Sequence, residues 1–228
     1  MPVALITGAS RGLGLALAGE LADRGWTLVL DARNDTDLRA ATATLTGVDH
    51  VAIAGDVSDP GHRLALRSAV QALGGVDLLA NNASTLGASP LPRFADLESA
   101  VFSHVLEVNL VAPLALVRDL LPSLRERHGT VLNITSDAAV EVYEGWGGYA
   151  SAKAGLEHAG RILAVEEPDV RVLTVDPGDM RTAMHQAAFP GEDISDRPLP
   201  TTVAPALVSL LLDDDASGRH QLSVEVVA

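Results

Sequence analysis

Short apolar runs alternate with segments of helical period from one end of this chain to the other, and few architectures accept that pattern. The runs Val3–Ile6, Thr27–Leu30, Val51–Ala54, Val76–Ala80, Thr130–Ile134, Val170–Val175 and Leu222–Val226 read as strands. Between them, Gly12–Arg24, Thr36–Leu45, Pro60–Leu73, Asp96–Arg127, Tyr149–Glu166 and Val203–Leu212 carry helical spacing. Near-continuous hydrophobic strands are what a parallel sheet needs when helices cover both of its faces. Right-handed crossovers then wind the chain twice over that sheet. The expectation is an α/β chain, a single-domain Rossmann fold over residues 1–228, with a doubly wound seven-stranded parallel sheet. Aromatic residues make up only 3% of the chain, so Ala, Val and Leu must fill the core.

Composition removes several classes of function. A formal charge of −14 opposes nucleic acid and anionic lipid, both of which call for clustered Lys and Arg. No run of 18 apolar residues is present, so no membrane span is expected. The first strand begins at Val3 and leaves no room for a signal peptide. Cysteine is absent, which excludes thiolate chemistry and suits the cytoplasm. The seven histidines are scattered without ligand spacing, so no metal is expected.

One stretch breaks the alternation. Residues 178–200 carry Pro190, Gly191, Pro198 and Pro200 among mixed charges and read as a long loop with a short helix near Thr182–Ala188. Loops of that length in compact folds commonly cover a ligand, and Arg181, His185, Glu192, Asp193, Asp196 and Arg197 give this one a polar character. Tyr143, Glu144 and Trp146 are candidates for the opposite wall, while His185 reads first as a surface residue, with contact to substrate as the alternative.

The first strand runs directly into Thr7-Gly8-Ala9-Ser10-Arg11-Gly12-Leu13-Gly14, and a helix follows. Glycines let a backbone turn sharply and approach a pyrophosphate, and a helix N-terminus offers free N–H groups and a positive dipole. The spacing is Gly-x-x-x-Gly-x-Gly, with Leu17 where the G-x-G-x-x-G fingerprint has its third glycine, and no Walker sequence occurs. The second strand leads into Asp31-Ala32-Arg33-Asn34, and two registers compete. With Asp31 at the tip, a carboxylate would grip the adenosine ribose and favour NAD(H). With Ala32 there, Arg33 and Arg11 can flank a 2′-phosphate, and that register favours NADP(H).

Tyr149 and Lys153 stand four residues apart where helical pattern resumes, so they share one helix face. Lys153 is the only lysine in the chain. A phenol titrates near pH 10, and a neighbouring ammonium favours its ionised form, so the pair makes sense as a tuned acid and base. Thirteen residues before Tyr149, Ser136 leaves the C-terminal end of a strand, where α/β folds bind ligands.

Together these residues resemble the short-chain dehydrogenase/reductase family. The likeness rests on Thr7–Gly14, Asp56-Val57, Asn81-Asn82-Ala83-Ser84, Asn109, Ser136, Tyr149-x-x-x-Lys153, Pro177-Gly178 and Thr182, in order through nearly the whole chain. The resemblance implies an oxidoreductase moving a hydride between NADP(H), or alternatively NAD(H), and a small carbonyl or secondary alcohol. It implies that Tyr149 exchanges the proton, Lys153 lowers the tyrosine pKa and holds the nicotinamide ribose, Ser136 polarises the reacting oxygen, and Asn109 supports a water relay. Cofactor contacts are implied for Gly8, Ser10, Arg11, Gly12, Leu13, Gly14, Arg33, Asp56, Val57, Asn82, Ala83, Pro177, Gly178 and Thr182, besides Tyr149 and Lys153. Asn81 is implied beside the central strand and the ribose. Two departures are visible: Ser84 replaces the family's usual glycine, and the chain stops at Val226-Val227-Ala228, short of the segment that commonly builds a subunit interface. A homodimer through the Asp96–Arg127 and Tyr149–Glu166 helices is therefore expected ahead of a tetramer. The rival readings are a nucleotide-sugar enzyme, for which no substrate domain is present, and a non-catalytic NADP-binding regulator or partner subunit, which would be free to lose the Tyr/Lys pair.

Overall fold

The computed structural model describes residues 1–47, 49–213 and 218–222. Its seven strands are β1 (Val3–Ile6), β2 (Thr27–Ala32), β3 (Val51–Ala54), β4 (Leu78–Asn81), β5 (Thr130–Ile134), β6 (Arg171–Asp176) and β7 (Gly218–Gln221). They form one parallel sheet in the order β3-β2-β1-β4-β5-β6-β7, the doubly wound Rossmann arrangement that the alternation predicts. The order reverses between β1 and β4, and the loops at their C-terminal ends frame the crevice there.

Side-chain alternation along the strands decides how the two faces are filled. Ala4 and Ile6 of β1, Leu28 and Leu30 of β2, and Leu78 and Ala80 of β4 point to one side. There they meet helices α1 (Gly12–Ala22), α2 (Asp35–Thr42) and α8 (Pro200–Leu212) through Leu17, Leu38 and Leu207. Leu5, Val29, Leu79 and Val131 point to the other side. They pack on α3 (Pro60–Ala72) and α5 (Ala112–Glu126) through Leu66, Val70, Leu116 and Leu120. Each such leucine contributes roughly 1.5–3 kcal/mol when fully buried, so the core is a sum of many small aliphatic terms.

Helix α4 (Ser99–Leu106) leads through a π-helical turn (Glu107–Val111) into α5, and α6 (Gly147–Glu166) lies against the turn. A single helix over Asp96–Arg127 was the expectation, and the structure corrects it twice. A 3₁₀ turn (Phe94–Asp96) precedes α4, and the helix widens at Asn109. Pro113 has no N–H to return to the carbonyl four residues back, which is that of Asn109, so the ladder cannot stay α-helical there.

The continuous helix Ser99–Glu126, with mean hydropathy 1.8 over its most apolar window, is long and apolar enough to cross a membrane by length and composition. It contains no uninterrupted run of 18 apolar residues, the criterion on which no membrane span was expected, because polar residues interrupt it. Its stripe Val105, Val108, Ala112, Leu116, Leu120 and Leu124 is buried, and all but Val105 belong to the cluster on the sheet, which accounts for the hydropathy.

The last strand also differs from expectation. The strand β7 lies at Gly218–Gln221, paired with β6, rather than at Leu222–Val226, of which residues 223–226 lie outside the described residues. Between β6 and α8 the long loop folds one short helix, α7 (Ala183–Ala188), capped by the Thr182 hydroxyl, which accepts from His185 N at 3.1 Å.

Candidate active site

A cavity of about 1400 Å³ opens along the C-terminal ends of the strands. Its lining brings together Gly8, Ser10, Arg11, Gly12, Leu13, Arg33, Asp56, Val57, Asn82, Ala83, Ser136, Tyr149, Lys153, Pro177, Gly178 and Thr182. Two residues singled out from the sequence, Gly14 and Asn109, stand behind that surface and shape it from beneath.

At one end the glycine turn forms a cradle. Gly8 and Gly12 have φ of +67° and +59°, a region that favours glycine. A Cβ on Gly14 would stand 2.4 Å from Gly8 O and 2.5 Å from the Asn82 amide nitrogen. Asn82 Nδ2 donates to Thr7 O at 2.8 Å, and the Thr7 hydroxyl accepts from the backbone N–H groups of Asn82 and Ala83 at 3.0 Å each. The β4 loop thus fixes the turn, so Asn82 and Ala83 shape the cradle as well as line it. Arg11 occupies the N-cap of α1 without a side-chain cap, which leaves first-turn N–H groups for an anion. Glycines that let backbone approach, free helix-terminal donors and two arginines fit the phosphates of a dinucleotide.

The register at the end of β2 is decided by pairing. The strand ends on Ala32, opposite Ala54, and Arg33 follows it, exposed. Asp31 borders the cavity but is only 2% exposed, with His62 Nε2 at 2.6 Å from its Oδ1. Burial raises its pKa, against the opposing pull of His62. Across the strand ends, Asp56 accepts from the N–H and hydroxyl of Ser58 at 2.9 and 2.6 Å. Burial pushes the Asp56 carboxyl up, but the Ser58 hydrogen bonds and Arg33 prevail and hold it below the usual range. Arg63 donates to the carbonyls of Val57 and Ser58 at 2.8 Å each and fixes this loop from below.

At the other end α6 presents Tyr149 and Lys153 on one face, both buried. Lys153 Nζ donates to the carbonyl of Ile134 at 2.7 Å and lies 5.5 Å from the centre of the Tyr149 ring. Burial pulls the Lys153 ammonium down to about 8. Burial pushes the Tyr149 phenol up to about 12, with Asp176 and Asp137 adding to the rise and hydrogen bonds to Ser84 and Ser136 opposing it. In the protein by itself, then, the phenol pKa lies above its ordinary value rather than below it, because desolvation outweighs the hydrogen bonds to Ser84 and Ser136.

Ser136 begins the turn after β5. Its hydroxyl donates to Asp137 Oδ1 at 2.8 Å, and Asp137 Oδ2 accepts from Tyr143 at 2.9 Å. Asn109 is fully buried, and its amide is spent on the β4 loop: Oδ1 accepts from Thr85 N at 2.8 Å and from the Ser84 hydroxyl at 3.2 Å, while Nδ2 donates to Thr85 O at 2.8 Å. Its visible part is to clamp that loop. Asn81, expected beside the ribose, donates to Asn133 at 2.9 Å between the adjacent strands and lies within the sheet.

The substrate side bears out part of the expected wall: Arg181 and His185 of residues 178–200, and Tyr143 and Trp146 opposite them, line the cavity. Met180, Met184 and Phe189 line it as well, and Glu144, Glu192, Asp193, Asp196 and Arg197 do not. Glu144 instead pairs with Arg93 at 2.9 Å on the surface. His185, read as a surface residue, has a side chain only 10% exposed and a ring centre 4.9 Å from that of Phe189. The α7 turn rolls its apolar side inward, and charge pattern alone cannot reveal that. Ser84, Asp137 and Phe189 were missed. Ser84 was visible as a departure from the family pattern, and Phe189 is one of only three phenylalanines in the chain.

A family profile described as short chain dehydrogenase matches residues 2–193. The chain belongs to the short-chain dehydrogenase family. It is 37% identical over 201 residues to the sepiapterin reductase of Rattus norvegicus, covering 82% of this chain and 77% of that protein. Among solved structures it resembles the alcohol dehydrogenase of the archaeon Thermococcus sibiricus complexed with 5-hydroxy-NADP. The identity there is 30% and the TM-score 0.85, over 98% of this chain and 97% of the other. A metagenomic short-chain oxidoreductase in complex with NADP gives 28% and 0.80, over 99% and 98%. Membership makes this short-chain dehydrogenase an oxidoreductase acting on alcohol and carbonyl groups.

Proposed function

We propose that the chain is an NADP(H)-dependent carbonyl reductase with Tyr149 as its proton donor. One observation carries the reading: a single cavity joins an anion-binding end with two arginines to an end where Tyr149, Ser136 and Lys153 converge. The bound nicotinamide would supply the hydride, as it does across this class of chemistry. Gly8, Gly12 and the first turn of α1 would hold the pyrophosphate, Arg11 and Arg33 the 2′-phosphate, and Lys153 the second ribose.

Tyr149 has a pKa of about 12, so its phenol is protonated at neutral pH and serves as a donor to a developing alkoxide. Ser136 exchanges its Asp137 partner for the carbonyl oxygen and fixes that oxygen beside the phenol. Lys153, positively charged below about pH 8, stabilises the tyrosinate left behind. The wall of Tyr143, Trp146 and Phe189 supports a flat ring as substrate. Four of the chain's seven aromatic side chains, counting Tyr149, gather at this cavity. The names of its sepiapterin reductase relatives support sepiapterin as the first substrate to try.

The test is nicotinamide absorbance with sepiapterin, aryl ketones and aliphatic ketones, using NADPH and NADH in parallel. Turnover of a ring ketone with NADPH, lost in Tyr149→Phe while NADPH still binds, is the expected result. Turnover indifferent to Tyr149→Phe, or NADPH binding without turnover of any ketone, would overturn it in favour of a binding protein.

A further inference from the structure

Asp31 is an anomaly in a pocket built for anions. Its carboxylate borders the same cavity as Arg11 and Arg33, next to where a 2′-phosphate would sit under the function proposed above. A bare carboxylate at that place would repel a phosphate and accept hydrogen bonds from an unphosphorylated ribose. Here both of its oxygens already have partners within the protein, one in the interior and one in the glycine turn. His62 Nε2 lies 2.6 Å from Oδ1, and Gly8 N lies 3.4 Å from Oδ2.

The histidine is itself a seated part. Asp59 caps α3 by accepting from Gly61 N at 2.8 Å, and Pro60 starts the helix, which places His62 in its first turn. Its ring lies against Gly55, where a Cβ would stand 2.2 Å from Nδ1. Gly55 N in turn donates to Ala32 O at 3.0 Å, tying the seat to the tip of β2. The His62 side chain is 5% exposed, and that of Asp31 2%.

We propose that His62 is a specificity-determining positioning residue, which holds the Asp31 carboxylate inward so that Arg33 and Arg11 select a phosphorylated adenosine ribose. The inference rests on the dinucleotide reading and adds to it a residue on a different strand–helix unit from the arginines. His62 acts through Asp31 and touches no ligand itself.

The experiment is calorimetric titration of NADPH and NADH into the wild-type chain, His62→Phe, Asp31→Asn and the His62→Phe/Asp31→Asn double variant at pH 8.5. The ratio of the two dissociation constants is read, so any change at Lys153, common to both ligands, cancels. His62→Phe should lower the NADPH preference by about tenfold, as one freed charge beside a phosphate would. Asp31→Asn alone should keep or raise the preference, and the double variant should restore it. Gly55→Ala, which unseats the ring by a different route, should act as His62→Phe does and stands in for it if that variant fails to fold. An unchanged ratio in a folded His62→Phe, or a lowered ratio in Asp31→Asn, would overturn the proposal alone. A wild-type chain that binds neither dinucleotide would overturn the cofactor reading and this inference with it.

Discussion

Tyr149 and Lys153 are held in opposite departures from their ordinary titration, and one cause serves both: burial penalises the charged form of each. The result is a phenol that keeps its proton at neutral pH and an ammonium poised to lose one near pH 8. Tyr149→Phe is expected to lower kcat by about 10²–10⁴-fold, the usual worth of a positioned acid, with NADPH affinity unchanged by calorimetry. Ser84 stands where the family resemblance leads one to expect glycine. Its hydroxyl faces both Tyr149 and Asn109, so it opposes the rise of the phenol pKa. Ser84→Ala should push that pKa higher and slow turnover by up to about tenfold, the worth of one hydrogen bond. A pH–rate profile that does not move would refute this role. The serine was legible as an oddity, but its partners were not, because they come from the π turn and α6.

At the scale of elements, the glycine turn and the helix after it act as a unit locked by the β4 loop. Gly14→Ala puts a methyl group against Gly8 O and the Asn82 amide, so the turn must open. Destabilisation of about 1–3 kcal/mol is expected, read as a lower Tm, together with loss of dinucleotide binding. The strands Val3–Ile6, Val51–Ala54 and Thr130–Ile134 were legible to the residue, since period and punctuation agree there. The long helix was legible as helix and wrong in detail. Its π turn follows from Pro113, a signal present in the sequence, and from the Asn109 clamp, which is not.

For the whole molecule, the buried Lys153 ties stability to pH. Its folded pKa of about 8 lies below the ordinary 10.5, so between those values the unfolded chain binds the extra proton. Stability therefore rises with pH across about 8 to 10.5, by up to about 3 kcal/mol. Tyr149 pulls the other way from about pH 10 to 12, where the folded phenol keeps a proton the unfolded chain has lost. Urea midpoints across pH 7–10 should climb in the wild-type chain and stay flatter in Lys153→Met. Equal slopes in the two proteins would show that the amine is solvated. Assembly belongs to this scale as well: Val111, Ile162 and Val165 leave apolar surface on the outer sides of the π turn and α6, and a homodimer through these helices is the proposed arrangement.

The sequence by itself determined the architecture, the glycine cradle and the Tyr149–Lys153 pair. Each is written in local periodicity or in spacing along one element, and such patterns survive without knowledge of neighbours. Tertiary structure alone decided that Ala32 rather than Asp31 stands at the tip, that His62 takes Asp31, that Ser84 lies with the hydroxyls of Ser136 and Tyr149, and that Phe189 and two methionines join the substrate wall. Those outcomes depend on which side chains from distant segments share a desolvated space, where burial and partner choice set charge and orientation.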